Sequence, residues 1–244
     1  MTNPKLLEIA SELESGKYEI GASIYHPIPF PEFANVKTSS KPQSAEAKWS
    51  LIRSTFADNV AFDKLRVLDV GSNIGFYTFN FAQLGATVDA YEPHTHYADY
   101  GQRINDAAAL KSNWHNKILE ARDIEDQQYD VALMLSVFQW MSEGDKYLSE
   151  ATELFTLIAK NTQTLFFELG CNHGKSAISS DKRPIRWIWD FLHANTEGMA
   201  VYHLGMVAAW GRNYRHIFVC TRQPDQLVLR PRQKLISGVL KATG

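Results

Sequence analysis

With 244 residues, of which 45% are apolar and 21% charged, the chain can bury one sizeable core, so a single α/β domain with appendages is the economical reading. A formal net charge of −2 with no dominant basic block excludes duplex nucleic acid as the expected partner. Cys171 and Cys220 lie far apart and in no metal-ligand spacing, which excludes a disulfide or zinc scaffold and predicts a reducing compartment. No apolar run approaches the roughly 20 residues of a bilayer span, and the opening MTNPKLLEIASELESGK has no signal-peptide core, so a soluble cytoplasmic protein is expected.

In chain order, PKLLEIASELES sets Leu6, Leu7, Ile9, Ala10 and Leu13 on a helical stripe that ends at Gly16. YHPIPFPEFANV follows, and its Pro27, Pro29 and Pro31 beside aromatic residues predict a stiff extended loop. SAEAKWSLIRSTF returns to helix, with Ser44 as N-cap and Ala45, Trp49, Ile52 and Phe56 on one face. Residues 1–63 are thus expected to form an N-terminal helical cap with a proline-bearing loop.

From Lys64 strands and helices alternate. The strands read LRVLDV, ATVDAYE, HNKILEA, YDVALMLS, TQTLFFEL, MAVYHL and HIFVCT, with helices over 74–85, 94–109, 142–160 and 184–196. Nearly continuous apolar strands separated by helices predict a Rossmann-like, mostly parallel seven-stranded sheet with helices on both faces, over residues 64–222. In such sheets ligands lie at the carboxyl ends of the strands. Residues 223–244 break the pattern: Arg230, Arg232, Lys234 and Lys241 alternate with Leu235, Ile236, Val239 and Leu240, as in a docked tail or a contact with a partner or an acidic membrane surface.

The first strand ends in VLDVGSNIGFYT, a strand, a glycine turn and a helix. Glycine lets backbone approach a ligand, and the helix start offers free N–H groups. A dinucleotide turn needs a third glycine, and Phe76 stands there, so a pyrophosphate cofactor is disfavoured; Asn73 replaces the middle glycine and tolerates a left-handed turn. The stretch resembles motif I of the class I S-adenosylmethionine-dependent methyltransferases, with Asp69, Gly71, Ser72, Asn73, Gly75 and Phe76 on the cofactor. Three later stations extend the resemblance. Glu92 closes the second strand, where the family's acid accepts both ribose hydroxyls; Asp123 and Ile124 fall where it places the adenine; and YDVALMLSVFQWM brings Ser136 to the cofactor and Gln139 and Trp140 to the acceptor. The resemblance implies S-adenosylmethionine as cofactor, the class I methyltransferase fold and no metal; the His94 and His96 pair would splay apart on a helix.

Methyl transfer is an in-line displacement in which a hydroxyl acceptor needs a base, whereas a phosphate acceptor needs cationic positioning. Two alternative readings of the acceptor site therefore stay open. In one, His173 is the base and Glu168 orients it; in the other, Lys182, Arg183, Arg186 and Arg215 hold an anion. The order QSAEAKW, LSVFQWM and a fifth strand ending FELG is similar to bacterial methyltransferases of surface polysaccharide and glycan assembly, which implies a glycan or phosphorylated acceptor. A second likeness is to RNA-end phosphate methyltransferases. Where relatives carry a histidine pair, this chain has Gln139 and Trp140, so a base at that position is absent. A non-catalytic methyltransferase-like binding module is the remaining alternative.

Overall fold

The computed structural model describes residues 2–15, 24–39, 42–170, 178, 183–209 and 214–242. Among them one seven-stranded sheet has the order β3-β2-β1-β4-β5-β7-β6. Its strands are β1 (Arg66–Val70), β2 (Thr87–Tyr91), β3 (Ser112–His115), β4 (Tyr129–Leu135), β5 (Thr162–Glu168), β6 (Ala200–Ala208) and β7 (Tyr214–Thr221). The chain divides into two compact units, residues 1–49 with 61–119 and residues 50–60 with 120–244.

In the first unit β1, β2 and β3 run parallel, with Asp69 beside Ala90 and Tyr91 beside His115. Four of the five residues of β1 are buried, as a strand covered on both faces requires. Helix α1 (Pro4–Glu14) starts where the Asn3 side chain accepts the Lys5 N–H and Pro4 fixes the first helical φ. It buries Leu6, Ile9, Ala10 and Leu13 in a cluster with Ile24, Ile28, Phe33, Ile74, Phe79, Tyr100 and Ile104. Burial of an aliphatic side chain contributes about 1.5–3 kcal/mol, so this stripe is what seats the helix. Its other contact is polar: Glu12 accepts from Arg103 and from the Tyr100 hydroxyl on α4 (Thr95–Ala108). Helix α2 begins at Pro42, two residues before the expected cap Ser44, and runs to Arg53.

The expected strand HNKILEA lies differently. The third strand is Ser112–His115, because β2 ends at Tyr91 opposite His115 and leaves no ladder for the residues that follow. Leu119 is buried there as loop and Ile118 is exposed.

The second unit pairs β4 with β5 in parallel and adds β7 and then β6 antiparallel, with a register shift at His203 to Gly205. Helix α5 (Ala121–Ile124) is followed after β4 by α6 (Phe138–Met141), α7 (Leu148–Lys160) and α8 (Pro184–Asn195). The helix expected over 142–160 starts only at Leu148, because residues 142–147 form turns in which Glu143 and Gly144 adopt positive φ. Phe191 on α8 packs against Phe138, Phe155 and Phe167 at ring-centroid distances of 4.8–5.9 Å and stacks on Trp187. The segment after β7 forms α9 (Pro231–Ala242), packed along β6.

Candidate functional site

In the first unit the turn after β1 is built by its unusual residues. Gly71, Asn73 and Gly75 all have positive φ, of 70°, 53° and 98°, so the left-handed tolerance expected of Asn73 is realised. The N–H groups of Gly71 and Ser72 both donate to the Tyr91 carbonyl, at 2.9 and 3.0 Å, which ties the turn to the end of β2. Gly75 precedes α3 (Phe76–Gln83) and cannot carry a side chain: a Cβ there would lie 2.8 Å from the Phe79 ring and 2.9 Å from the Trp114 indole. The same indole fills the space beside Gly101 on α4.

Two carboxyl groups frame this turn. Asp69, at the end of β1, accepts the Thr78 hydroxyl at 2.6 Å, and burial, helped by the nearby Glu92 charge, raises its pKa to about 6. Glu92 follows β2 and accepts the Asn73 N–H on one oxygen and the His94 N–H on the other, both at 2.8 Å. Burial raises its pKa against those bonds. Each oxygen retains a second lone pair, so this fixed carboxylate keeps capacity for two more donors, the number a vicinal diol presents.

The turn also holds polar atoms that the protein leaves unanswered. Ser72 Oγ and Asn73 Oδ1 are buried and have no partner among the described residues, although buried polar groups are nearly always bonded. Unanswered atoms, positive-φ residues and a diol-competent acid all fit an adenosyl group. Phe76 is buried at the start of α3, against Tyr77 and His26. His26 was not among the residues singled out in the sequence; it belongs to the proline-bearing loop and packs edge-on to Tyr77 at 5.8 Å. The run of prolines and aromatics was the signal for that loop.

In the second unit Asp123 closes a capping box: its side chain accepts the Glu120 N–H at 3.0 Å, and Glu120 answers the Asp123 N–H. Ile124 is fully buried, and its carbonyl accepts the Asn161 amide at 2.6 Å.

The carboxyl ends of β4 and β5 bring together Ser136, Gln139, Glu168 and Arg215. Glu168 accepts the Ser136 hydroxyl at 2.8 Å and Arg215 at 3.2 Å, and Arg215 also donates to the Ser136 hydroxyl. The Glu168 and Arg215 side chains are 0% and 8% exposed, so this is a buried ion pair. Ser136 itself holds a φ of 60°, and Gln139 clamps the same loop, donating to the Ser136 carbonyl at 2.8 Å and accepting the Gly170 N–H at 3.3 Å. Beside it Trp140 is 64% exposed.

The other expected acceptor residues are not gathered in this way. Arg186 is engaged on its own helix and the next, 2.7 Å from Asp190 and donating at 2.7 Å to the Leu240 carbonyl. Arg183 is exposed just before α8. His173 and Lys182 lie outside the described residues.

Residues 68–155 match the family model of a methyltransferase domain. No curated protein sequence matches the chain. Among solved structures it is similar to the bifunctional kinase-methyltransferase WbdD, at 17% identity and a TM-score of 0.69 over 87% of this chain and 46% of that one. It is also similar to magnesium protoporphyrin IX methyltransferase (ChlM) from Synechocystis PCC 6803 with bound S-adenosylmethionine, at 19% identity and a TM-score of 0.53 over 74% of this chain and 78% of that one. A third is the N-terminal domain of EvdMO1 in the presence of S-adenosylhomocysteine and D-fucose, at 14% identity and a TM-score of 0.55 over 91% of this chain and 97% of that one. At these identities the likeness is one of fold, and the chain spans under half the length of WbdD.

Proposed function

The chain carries a methyltransferase domain on the class I methyltransferase fold, and on that premise we propose that it uses S-adenosylmethionine to methylate a sugar hydroxyl of a glycan acceptor. The observation that carries the cofactor half is Glu92, a buried carboxylate fixed by two backbone N–H groups and still able to accept from a diol. When bound, the cofactor supplies an electrophilic methyl on a sulfonium. The residues of this chain do the rest: Glu92 takes the ribose hydroxyls, the backbone of the Gly71 to Gly75 turn approaches the ligand closely, and Ser72 and Asn73 offer it their unanswered atoms.

Three observations favour a sugar hydroxyl over a phosphate. Arg215 is neutralised by Glu168, and Arg186 by Asp190, so two of the cations expected to hold an anion are already committed. Trp140 offers an exposed ring of the kind that stacks on a sugar face. The EvdMO1 domain was solved in the presence of a sugar, D-fucose. A hydroxyl acceptor needs a base, and His173 is our assignment for it. Glu168, buried and paired, serves to hold the Ser136 to Trp140 loop rather than to touch the acceptor.

Calorimetric titration with S-adenosylmethionine and S-adenosylhomocysteine, with NAD as control, tests the cofactor half. Glu92→Gln should weaken binding about 10- to 100-fold, because its amide N–H₂ would face the Asn73 or His94 N–H and displace a charge-assisted acceptor; unchanged affinity refutes the assignment. On the acceptor side, His173→Ala should lower turnover steeply with cofactor affinity kept. Loss in Arg183→Ala with tolerance at His173 would point instead to a phosphate acceptor.

A further inference from the structure

Helix α9 is seated by a mixed face, in which Gln233 and Ser237 are buried and Ile236 and Leu240 are half-buried. Its buried positions are Gln233 and Ser237, 7% and 5% exposed, while Leu235 and Val239 stand 68% and 54% exposed. The two buried polar residues of the seat are both hydrogen-bonded. Gln233 donates to the Leu204 carbonyl at 2.8 Å and accepts the Arg230 N–H at 2.7 Å; Ser237 accepts the His203 N–H at 3.0 Å and donates to the Gln233 carbonyl at 2.7 Å. Arg186 reaches the Leu240 carbonyl, and the Val228 N–H donates to Thr55 at 2.8 Å, so both ends of the segment are pinned.

This seat, Gln233, Ile236, Ser237 and Leu240, fixes which way the other side points. Leu235 follows Gln233 by two residues, about 200° of helical rotation, which sets it nearly opposite the seat. Val239 lies one turn further along the same ridge. Arg232 and Lys234 flank Leu235, and the run from Leu227 to Ala242 holds four cations, Arg230, Arg232, Lys234 and Lys241, and no acid, in a protein whose net charge is −2. A Cβ at Gly238 would meet nothing within 4 Å, so the outer face is open there as well.

We propose that α9 lays this outer face on an anionic lipid bilayer, with Leu235 and Val239 entering the headgroup boundary and the flanking cations meeting lipid phosphates. Charge selects that occupant. A second copy of the chain would bring the same four cations against themselves, and a neutral apolar partner would leave them unanswered. Two apolar side chains alone are a weak anchor, and a basic cluster alone is reversible; membrane association of this kind needs both signals together, and α9 carries both. Among the described residues no helix is long and apolar enough to cross a membrane, so the contact is a surface one.

The test is sedimentation of the full chain with phosphatidylcholine vesicles and with vesicles of phosphatidylcholine and phosphatidylglycerol. The protein should pellet with the anionic vesicles only, and added salt should release it. Arg232→Gln with Lys234→Gln should lower the partition coefficient about 25-fold, and Leu235→Gln about fivefold. These side chains are outside the seat, so circular dichroism and the thermal midpoint should be unchanged, which separates loss of binding from loss of fold. Equal binding to neutral vesicles, absence of binding to either, or undiminished binding in the substituted proteins would each overturn the proposal.

Discussion

Glu92 and Glu168 are both buried acids at the carboxyl edge of the sheet, one in each unit, and the protein treats them oppositely. Glu92 is held by two backbone N–H groups, which carry no net charge, and its pKa is pushed up by burial. Glu168 is given a cation, Arg215, and the Ser136 hydroxyl. A carboxylate answered by backbone dipoles keeps its charge uncompensated within the protein; one answered by a guanidinium is neutralised there. The same residue type at the same kind of strand end is therefore met by neutral dipoles in one place and by a cation in the other.

The comparison is easiest to break at the clamp. Arg215→Met removes the cation from beside a fully buried carboxylate and should destabilise the protein by about 3–5 kcal/mol, a fall in Tm of roughly 10 °C. Adding Glu168→Gln should recover much of the loss. A cost under about 1 kcal/mol would mean that the pair is not the clamp we describe.

The next effect is smaller and lies at the turn. Asp69 has its pKa raised from 3.8 to about 6. A carboxyl raised in the fold contributes its full stability while protonated, below pH 3.8, and that contribution is lost as the pH rises through about 6. Asp69→Asn should therefore flatten the pH dependence of apo-protein stability over that window and raise stability at pH 8 by up to about 3 kcal/mol, measured by urea unfolding. Cofactor affinity should fall in the same variant. A steeper slope after the substitution would contradict the burial effect.

The smallest effect concerns Asn73. Glycine at this left-handed position should leave apo stability within about 1 kcal/mol of the parent or slightly above it, since the buried Oδ1 it removes has no partner among the described residues. If that atom serves a ligand, cofactor affinity should drop about tenfold. Equal affinity would place Asn73 in the turn for its backbone alone.

Much of this was legible in the sequence. Strand ends that stop on an acid, at Asp69 before a glycine turn and at Glu92 before a proline, follow from apolar runs meeting residues that break a strand, and both the succession of strands along the chain and the left-handed Asn73 are legible in that pattern. The third strand was misplaced because Ile118 and Leu119 look like a strand locally, whereas its bounds depend on where β2 ends, which no local pattern states. The pairing of Glu168 with Arg215 was equally out of reach: 47 residues separate them, and only the antiparallel return of β7 beside β5 brings them together. The seat of α9 was hidden for a different reason. Of its four large apolar residues only Ile236 and Leu240 turn inward, and the two polar residues buried between them are recognised only by their hydrogen bonds to β6.

Trp114 occupies volume that two glycines give up, Gly75 in the turn after β1 and Gly101 in α4. Its indole is held from below by a bond to the Ser112 hydroxyl, which is itself fixed by Asn105. Positions 75, 101 and 114 therefore form one steric account: a methyl added at Gly101 has to be matched by a smaller ring at 114, whereas one added at Gly75 also meets Phe79 and a left-handed φ. Drift at position 101, on a helix that carries none of the turn's chemistry, is restrained by the shape of that turn, transmitted through a single aromatic ring.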